Sequence, residues 1–85
     1  AKASYHLAQD LFDSGDLDDA LKQVSRLIDS NTPHEYWLAR GFILQSDIKR
    51  RQGRTFEAEE LLRSLRENYP GTEADIFQSI DSRLK

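Results

Sequence analysis

The stretch that decides the fold is GDLDDALKQVSRL at residues 15–27, because the same pattern returns as GRTFEAEELLRSL at 53–65. In both copies a glycine is followed, at the same intervals, by an alanine and then by large apolar residues. The matching positions lie 38 residues apart throughout. Apolar residues at these intervals share one face of a helix. Their recurrence indicates helix-turn-helix units that stack, because each unit alone lacks a complete core.

Outside these copies, glycine and proline divide the chain into five segments with helical periodicity. The Asp-Ser-Gly of 13–15 should end the first helix, and Asp16 should cap the second. The Thr-Pro-His-Glu of 32–35 should start the third helix, with threonine as cap and proline in the first helical position. Thr55 and Thr72 are the expected caps of the fourth and fifth helices. No segment alternates as a strand does, so we predict an all-α fold of five helices.

The third helix has the broadest apolar surface. Its innermost stripe consists of Trp37, Gly41, Leu44 and Ile48, and further apolar residues flank it on both sides. A helix that is apolar over so wide an arc packs against neighbours on both sides. We therefore expect it in a central position.

The repeat resembles the tetratricopeptide repeat (TPR) family. That family's pattern is tryptophan, two residues, leucine-glycine, two residues, tyrosine, then alanine, three residues, phenylalanine, and a final proline. The small residues let the two helices of a unit cross closely. The residues that carry the resemblance in the first unit are Ser4, Leu7, Ala8, Leu11, Ala20, Val24 and Pro33, and in the second unit Ala58, Leu62 and Pro70.

The chain departs from the family pattern in two ways. Neither unit has the tryptophan or tyrosine in its usual place, and the second unit is about one helical turn longer than the common 34-residue repeat. Aligning that unit on Leu44 and Ile48 puts Gln45 where the family has a small residue. The resemblance implies a right-handed superhelical stack of antiparallel helix pairs, with unit one at 1–32, unit two at 33–71 and a capping helix at 72–85. The sequence contains no methionine, so we expect it to be part of a longer protein.

Composition narrows the classes of partner. The 85 residues carry a formal charge of −3, which does not favour nucleic acid as a ligand. The longest apolar run is the Phe-Ile-Leu of 42–44, far short of the roughly 20 residues that span a bilayer, so we predict no membrane insertion. The sequence contains no cysteine, so it does not indicate whether the protein works in an oxidising or a reducing compartment. A soluble cytoplasmic or periplasmic location fits equally well.

Catalytic and metal-binding patterns are weak. His6, Asp10 and Asp13 are spaced to share one helical face, but a zinc site needs three or four ligands with further support, and a solvated polar face is the simpler interpretation. The sequence has no nucleophile motif and no glycine-rich phosphate loop. We predict that the chain is not an enzyme and that it holds no metal or cofactor.

Charged residues gather around the two glycine turns. The first turn carries Asp10, Asp13, Asp16, Asp18 and Asp19, and the second carries Lys49, Arg50, Arg51 and Arg54. Acids favour the amino end of a helix and cations favour the carboxyl end, so most of these charges have a structural interpretation.

Resemblance to the family also suggests a binding surface. Family members bind partner segments in a concave groove formed by the first helix of each unit. Carried over by position, with the second unit aligned on Leu44 and Ile48, the groove consists of Lys2, Tyr5, Gln9, Phe12 and Asp13 in unit one and of Ala39, Phe42, Ser46, Lys49 and Arg50 in unit two. The alternative for Phe12 and Phe42 is that they are core residues. Tyr5 and Gln9 stand where the family's carboxylate clamp has lysine and asparagine, so that clamp is not expected.

The predicted function is a scaffold that binds a segment of another protein in this groove. The alternative is a structural segment that stacks on further repeats or on a second copy and has no groove ligand. A homo-oligomer is compatible with either function.

Overall fold

The computed structural model describes residues 2–29 and 35–84, with side chains from Tyr5 onward. These residues form five helices and no strand, which confirms the all-α prediction. The threonine, proline and histidine proposed to start the third helix, at 32–34, lie outside the described residues. The helices are α1 (Lys2–Asp13), α2 (Leu17–Asp29), α3 (Glu35–Arg51), α4 (Thr55–Asn68) and α5 (Ala74–Leu84).

The two glycine turns are built in the same way. Gly15 and Gly53 have φ values of 87° and 83°, in the left-handed region that glycine adopts without a steric penalty. The amide of Asp16 donates to the carbonyl of Leu11 at 2.9 Å, and the amide of Arg54 donates to Lys49 at 2.8 Å. These bonds satisfy carbonyls at the helix ends, as in the Schellman motif. All of these positions correspond at the 38-residue offset.

Two predicted caps are wrong. Thr55 is the first residue of α4, and Arg54 occupies the cap position without a side-chain hydrogen bond to the helix. The fifth helix begins at Ala74, and the carbonyl of Glu73 accepts its first bond, from the amide of Ile76. Thr72 is therefore too early to be the cap.

Helices pack mainly against their neighbours in sequence. α1 pairs with α2 and α3 pairs with α4, while α2 packs on α3 and α4 on α5. α3 also contacts α1 and α5. Within the described residues, neither α1 nor α2 comes within contact distance of α4 or α5. α3 is therefore the central helix, as its broad apolar surface predicted.

α3 contributes to two separate clusters of core residues. Leu44 and Ile48 join a cluster with α1 and α2, whose other buried members are Tyr5, Ala8, Ala20, Val24 and Leu27. Ala39 and Ile43 join a cluster with α4 and α5, whose other members are Leu62, Ile76 and Ile80. One helix thus connects two cores that would otherwise be independent.

Small residues occupy the crossings between helices. Ala8 and Ala20 are fully buried in the first unit, and Ser46 and Ala58 are fully buried in the second. Each pair matches the other at the 38-residue offset. Between the units, a β-carbon added to Gly41 would lie 2.9 Å from the Cδ2 atom of Leu27, so glycine permits a close approach of α2 and α3.

Candidate functional site

Side chains of α1, α3 and α5 meet on one polar surface, to which α3 contributes Arg40. The Arg40 guanidinium lies 5.3 Å from the ring centroid of Tyr5 in α1 and 3.6 Å from the carboxylate of Asp75 in α5. Tyr36, one turn earlier in α3, donates a hydrogen bond of 2.6 Å to the same carboxylate. Arg40 therefore connects all three helices.

Asp47 and Arg83 join α3 to α5 further along this surface. The Nε and Nη2 atoms of Arg83 donate to the two carboxylate oxygens of Asp47 at 2.8 and 3.0 Å, which is the two-pronged geometry that suits arginine and carboxylate. Arg50 donates from Nη2 to the carbonyl of Arg83 at 3.0 Å. The Asp47 hydrogen bond raises the pKa of Arg83, although its partial burial acts in the opposite direction.

On the α1 side of the surface, hydrogen bonds join side chains that lie one helical turn apart. The Tyr5 hydroxyl donates to Gln9 Oε1 at 3.3 Å, and Gln9 Nε2 donates to Asp13 at 3.0 Å. We call the whole surface the α1–α3–α5 face and define it by Tyr5, Gln9, Tyr36, Arg40, Asp47, Arg50, Asp75 and Arg83. Both signs of charge are present, and most of its side chains are held in place by partners on a neighbouring helix.

Only part of the groove predicted from the sequence lies on this face. Gln9 and Arg50 do, and so does Tyr5, although this residue is only 8% exposed and packs in the core. Ala39 and Ser46 are buried at 1% and 0% exposure, and the Ser46 hydroxyl donates to the carbonyl of Ile43. These two residues therefore cannot line an open groove.

The remaining predicted residues lie elsewhere. Phe12 is half-buried against the first core cluster, with the Arg51 guanidinium 5.4 Å from its ring centroid. Phe42 is half-buried and faces α4. Lys49 is half-buried and has no ion pair among the described contacts. The side chain of Lys2 lies outside the described part of the chain.

The error on α3 is a displacement of one residue. The second unit was aligned on Leu44 and Ile48, which belong to the stripe that packs with α2. The 38-residue offset between the two glycine turns instead matches the α1 set to Arg40, Ile43, Asp47, Arg50 and Arg51. One residue is a rotation of about 100° around a helix, which is enough to turn Phe42 away from α1. Of these five, Arg40, Asp47 and Arg50 make polar contacts with α5, Ile43 packs against α5 in the core, and Arg51 reaches Phe12 of α1.

An apolar cavity of about 310 Å³ lies on another side of the molecule, between α3 and α4. No sequence pattern predicts this cavity, although Leu38 and Phe42 are among the apolar residues that flank the innermost stripe of α3. Its apolar lining consists of Leu38, Ala39, Phe42, Leu61, Leu65, Tyr69 and Pro70, and its polar lining of Glu35, Ser64 and Asn68.

Tyr69, at the rim of this cavity, has a phenol with a raised pKa. Burial and a hydrogen bond of 2.9 Å to Glu73 raise its pKa to about 12 from the ordinary value near 10. The hydrogen bond to Asp75 likewise raises the pKa of Tyr36, with a contribution from burial. Both phenols therefore hold their protons more tightly in the folded chain than in the unfolded chain.

The free energy of unfolding should fall as the pH rises from about 10 to 12. Below this range both states keep the Tyr69 proton, whereas within it the unfolded state releases the proton first and is favoured. Urea unfolding at a series of pH values measures the effect. Tyr69→Phe, which has no ionisable group there, should show a shallower fall, and equal slopes for the two proteins would contradict the assignment.

The described residues contain neither a metal-binding group nor a membrane-spanning helix. Over residues 2–29 and 35–84, no group of three or more His, Asp or Glu side chains is arranged to hold a metal ion. His6 contacts aromatic rings, with centroid distances of 5.7 Å to Tyr5 and 6.2 Å to Trp37. None of the described helices is both long enough and apolar enough to cross a bilayer.

No protein-family model matches this chain, and no curated protein or solved structure is significantly similar to it.

Proposed function

We propose that this chain is a TPR-like helical-repeat module that holds a segment of another protein on the α1–α3–α5 face. The observation that carries the proposal is that three helices, non-adjacent in sequence, contribute to one polar surface whose side chains are fixed across helix boundaries. An extended segment lying across such a surface would meet α1, α3 and α5 in turn.

The order of packing supports the repeat architecture. In a stack of helix pairs, the first helix of each unit contacts the first helices of the adjacent units, as α3 contacts α1 and α5. The repeated turn geometry at Gly15 and Gly53 supports it further, as do the buried small residues at matching crossings. In this proposal α5 stands in the position of the first helix of a third unit and caps the stack.

The chemistry of the face suits a polar segment that carries charges. Arg50 uses one guanidinium nitrogen on the Arg83 carbonyl, and its exposed side chain retains further donors. Gln9 provides an amide on the α1 side. Donors and acceptors on the two sides of this face can pair with the peptide groups and side chains of a bound segment.

The proposed role is binding rather than catalysis. Of the serine hydroxyls, Ser46 and Ser82 donate hydrogen bonds in the described part of the chain, and each donates to a backbone carbonyl rather than to a base. Arg40 pairs with Asp75 and Arg83 pairs with Asp47, which suits a fixed recognition surface.

The alternative function, a stacking segment without a groove ligand, is favoured by a different set of observations. Leu7 is 47% exposed on α1, and the cavity between α3 and α4 is mainly apolar. Both features lie away from the α1–α3–α5 face, so the two functions can be separated by where a partner contacts the chain.

Site-specific photo-crosslinking tests the proposal. A benzophenone side chain placed at Gln9 or at Arg50 should crosslink to the same partner protein in lysate from the source cell. The same group at Asn68, on the cavity, provides the matched control and should not. Crosslinks that form only from Asn68 would favour the alternative, and crosslinks from none of the three positions would contradict the proposed binding face.

A further inference from the structure

One end of the molecule carries two turns of opposite charge. We call the exposed carboxylates around Gly15 the acidic turn, which consists of Asp10, Asp13, Asp16, Asp18 and Asp19, and the cations around Gly53 the basic turn, which consists of Lys49, Arg51 and Arg54. The turns lie side by side, because α1 packs on α3 and the Arg51 guanidinium lies over the ring of Phe12 near the end of α1.

Most of these charges have no ion-pair partner among the described residues. None of the acidic-turn carboxylates is in a salt bridge among the described residues, and Asp13 accepts one hydrogen bond, from Gln9. In the basic turn, Arg54 alone has an ion pair among the described contacts, with Glu57 at 3.8 Å, and both of those side chains are 56% exposed. The two turns do not neutralise each other by direct contact.

Helix electrostatics does not account for all of these charges. Asp18 and Asp19 lie in the first turn of α2, and Arg51 lies in the last turn of α3, where the helix dipole favours them. Asp13, however, is the last residue of α1, and Arg54 occupies the cap before α4. Asp13 is thus a negative charge at a carboxyl end, and Arg54 is a positive charge at an amino end. The helix dipole disfavours both arrangements. Their placement indicates a use outside the helices that carry them.

Phe56 lies two residues beyond Arg54, and its side chain is 74% exposed. It is the most exposed of the large apolar residues in the described part of the chain. Aromatic residues are enriched at the centres of protein interfaces, where they leave water on binding. An exposed phenylalanine beside the basic turn therefore marks this end as a contact surface.

We infer that this end of the molecule binds a second copy of the same chain, with the acidic turn of each copy against the basic turn of the other. A two-fold axis brings every patch of one copy opposite its complement, because in such an interface residue i contacts j and j contacts i. A surface that carries a negative patch beside a positive patch is therefore complementary to a second copy of itself. The contact does not depend on the proposed function and leaves the α1–α3–α5 face free.

The dimer should be weak and sensitive to salt. The molecule has principal extents of 31 × 28 × 18 Å. Its end is therefore no larger than the roughly 800 Å² per partner of a standard stable interface. Exposed ion pairs contribute little individually, and their attraction is screened beyond about 10 Å at 0.1 M salt. We expect association in the range of about 0.1 to 1 mM at low salt.

A charge-swap experiment tests the pairing. The first variant reverses the formal charge of the acidic turn from −5 to +1 with Asp13→Lys, Asp16→Lys and Asp18→Lys. The second reverses that of the basic turn from +3 to −1 with Arg51→Glu and Arg54→Glu. Sedimentation equilibrium at low salt should show that either variant alone dimerises at least about tenfold more weakly than the parent, because like charges then face each other. An equimolar mixture should associate again, because both contacts in the mixed dimer regain opposite signs.

Controls separate this contact from loss of folding and from net charge. Circular dichroism melts should show both variants folded, and Arg26→Glu with Arg63→Glu provides the same change in net charge as the second variant, away from this end. Phe56→Ser should weaken association without lowering the melting temperature. A parent protein that is monomeric at 1 mM and low salt would overturn the inference. So would dimerisation that survives both reversals, or a mixture that fails to reassociate.

Discussion

Ile76→Ala should lower the free energy of unfolding by about 2–5 kcal/mol, the cost of removing a large aliphatic side chain from a packed core. Ile76 is fully buried and, with Ile80, forms the α5 part of the second core cluster. A domain of this size has only about 4–13 kcal/mol of stability in total. The variant should therefore lose a large fraction of that stability, as measured by urea unfolding at 25 °C.

Gln78→Ala is the matched control for this prediction. Gln78 lies on the same helix, is exposed and has no interaction with another helix in the described contacts. Its substitution should change stability by less than about 0.5 kcal/mol. If the two variants unfold at the same urea concentration, α5 is not packed as described and does not cap the molecule.

Enlarging the alanine at either crossing should cost about 1–3 kcal/mol through overpacking. Ala20 and Ala58 are both fully buried, and the residues that share their positions in the crossing helices, Ala8 and Ser46, are equally buried. Ala20→Leu or Ala58→Leu must therefore push two helices apart or force side chains from their preferred rotamers. Thermal melts followed by circular dichroism should show a lower transition temperature for each variant.

The control for the crossing prediction is Ala74→Leu, because Ala74 is helical but exposed at the start of α5. It receives the same added volume without neighbours to displace, so its melting temperature should stay close to that of the parent. Crossing variants that melt with the control would refute the correspondence between the two units.

The helices and the central place of α3 could be predicted because each depends on local pattern. The glycines at 15 and 53 end their helices through a conformation that glycine favours, and the width of the apolar arc on α3 requires two neighbours. Thr55 and Thr72 were assigned as caps because threonine suits that position. In the structure Arg54 occupies the cap of α4 and α5 begins at Ala74, so neither threonine is at the predicted cap position.

The candidate site was only partly predictable. An apolar stripe in the sequence shows that one face of a helix is buried, but it does not show which neighbouring helix covers that face. Leu44 and Ile48 face α2, so aligning on them rotated the inferred groove and brought in Phe42. Aligning the two units on their glycine turns gives the correct register for α3. The hydrogen bonds of these turns join backbone atoms alone, so they recur at the same offset whatever the side chains are. The ion pair between Asp47 and Arg83 spans 36 residues, and no local pattern predicts which charges will meet at that separation.

The absence of contact between the first two helices and the last two, within the described residues, bears on how quickly the chain folds. Folding rates fall as contacts become more distant in sequence, because long loops must close before those contacts form. Here most contacts join helices that are neighbours in sequence, so most of the loops that must close are short. We expect refolding in the microsecond-to-millisecond range typical of helical proteins with mainly local contacts.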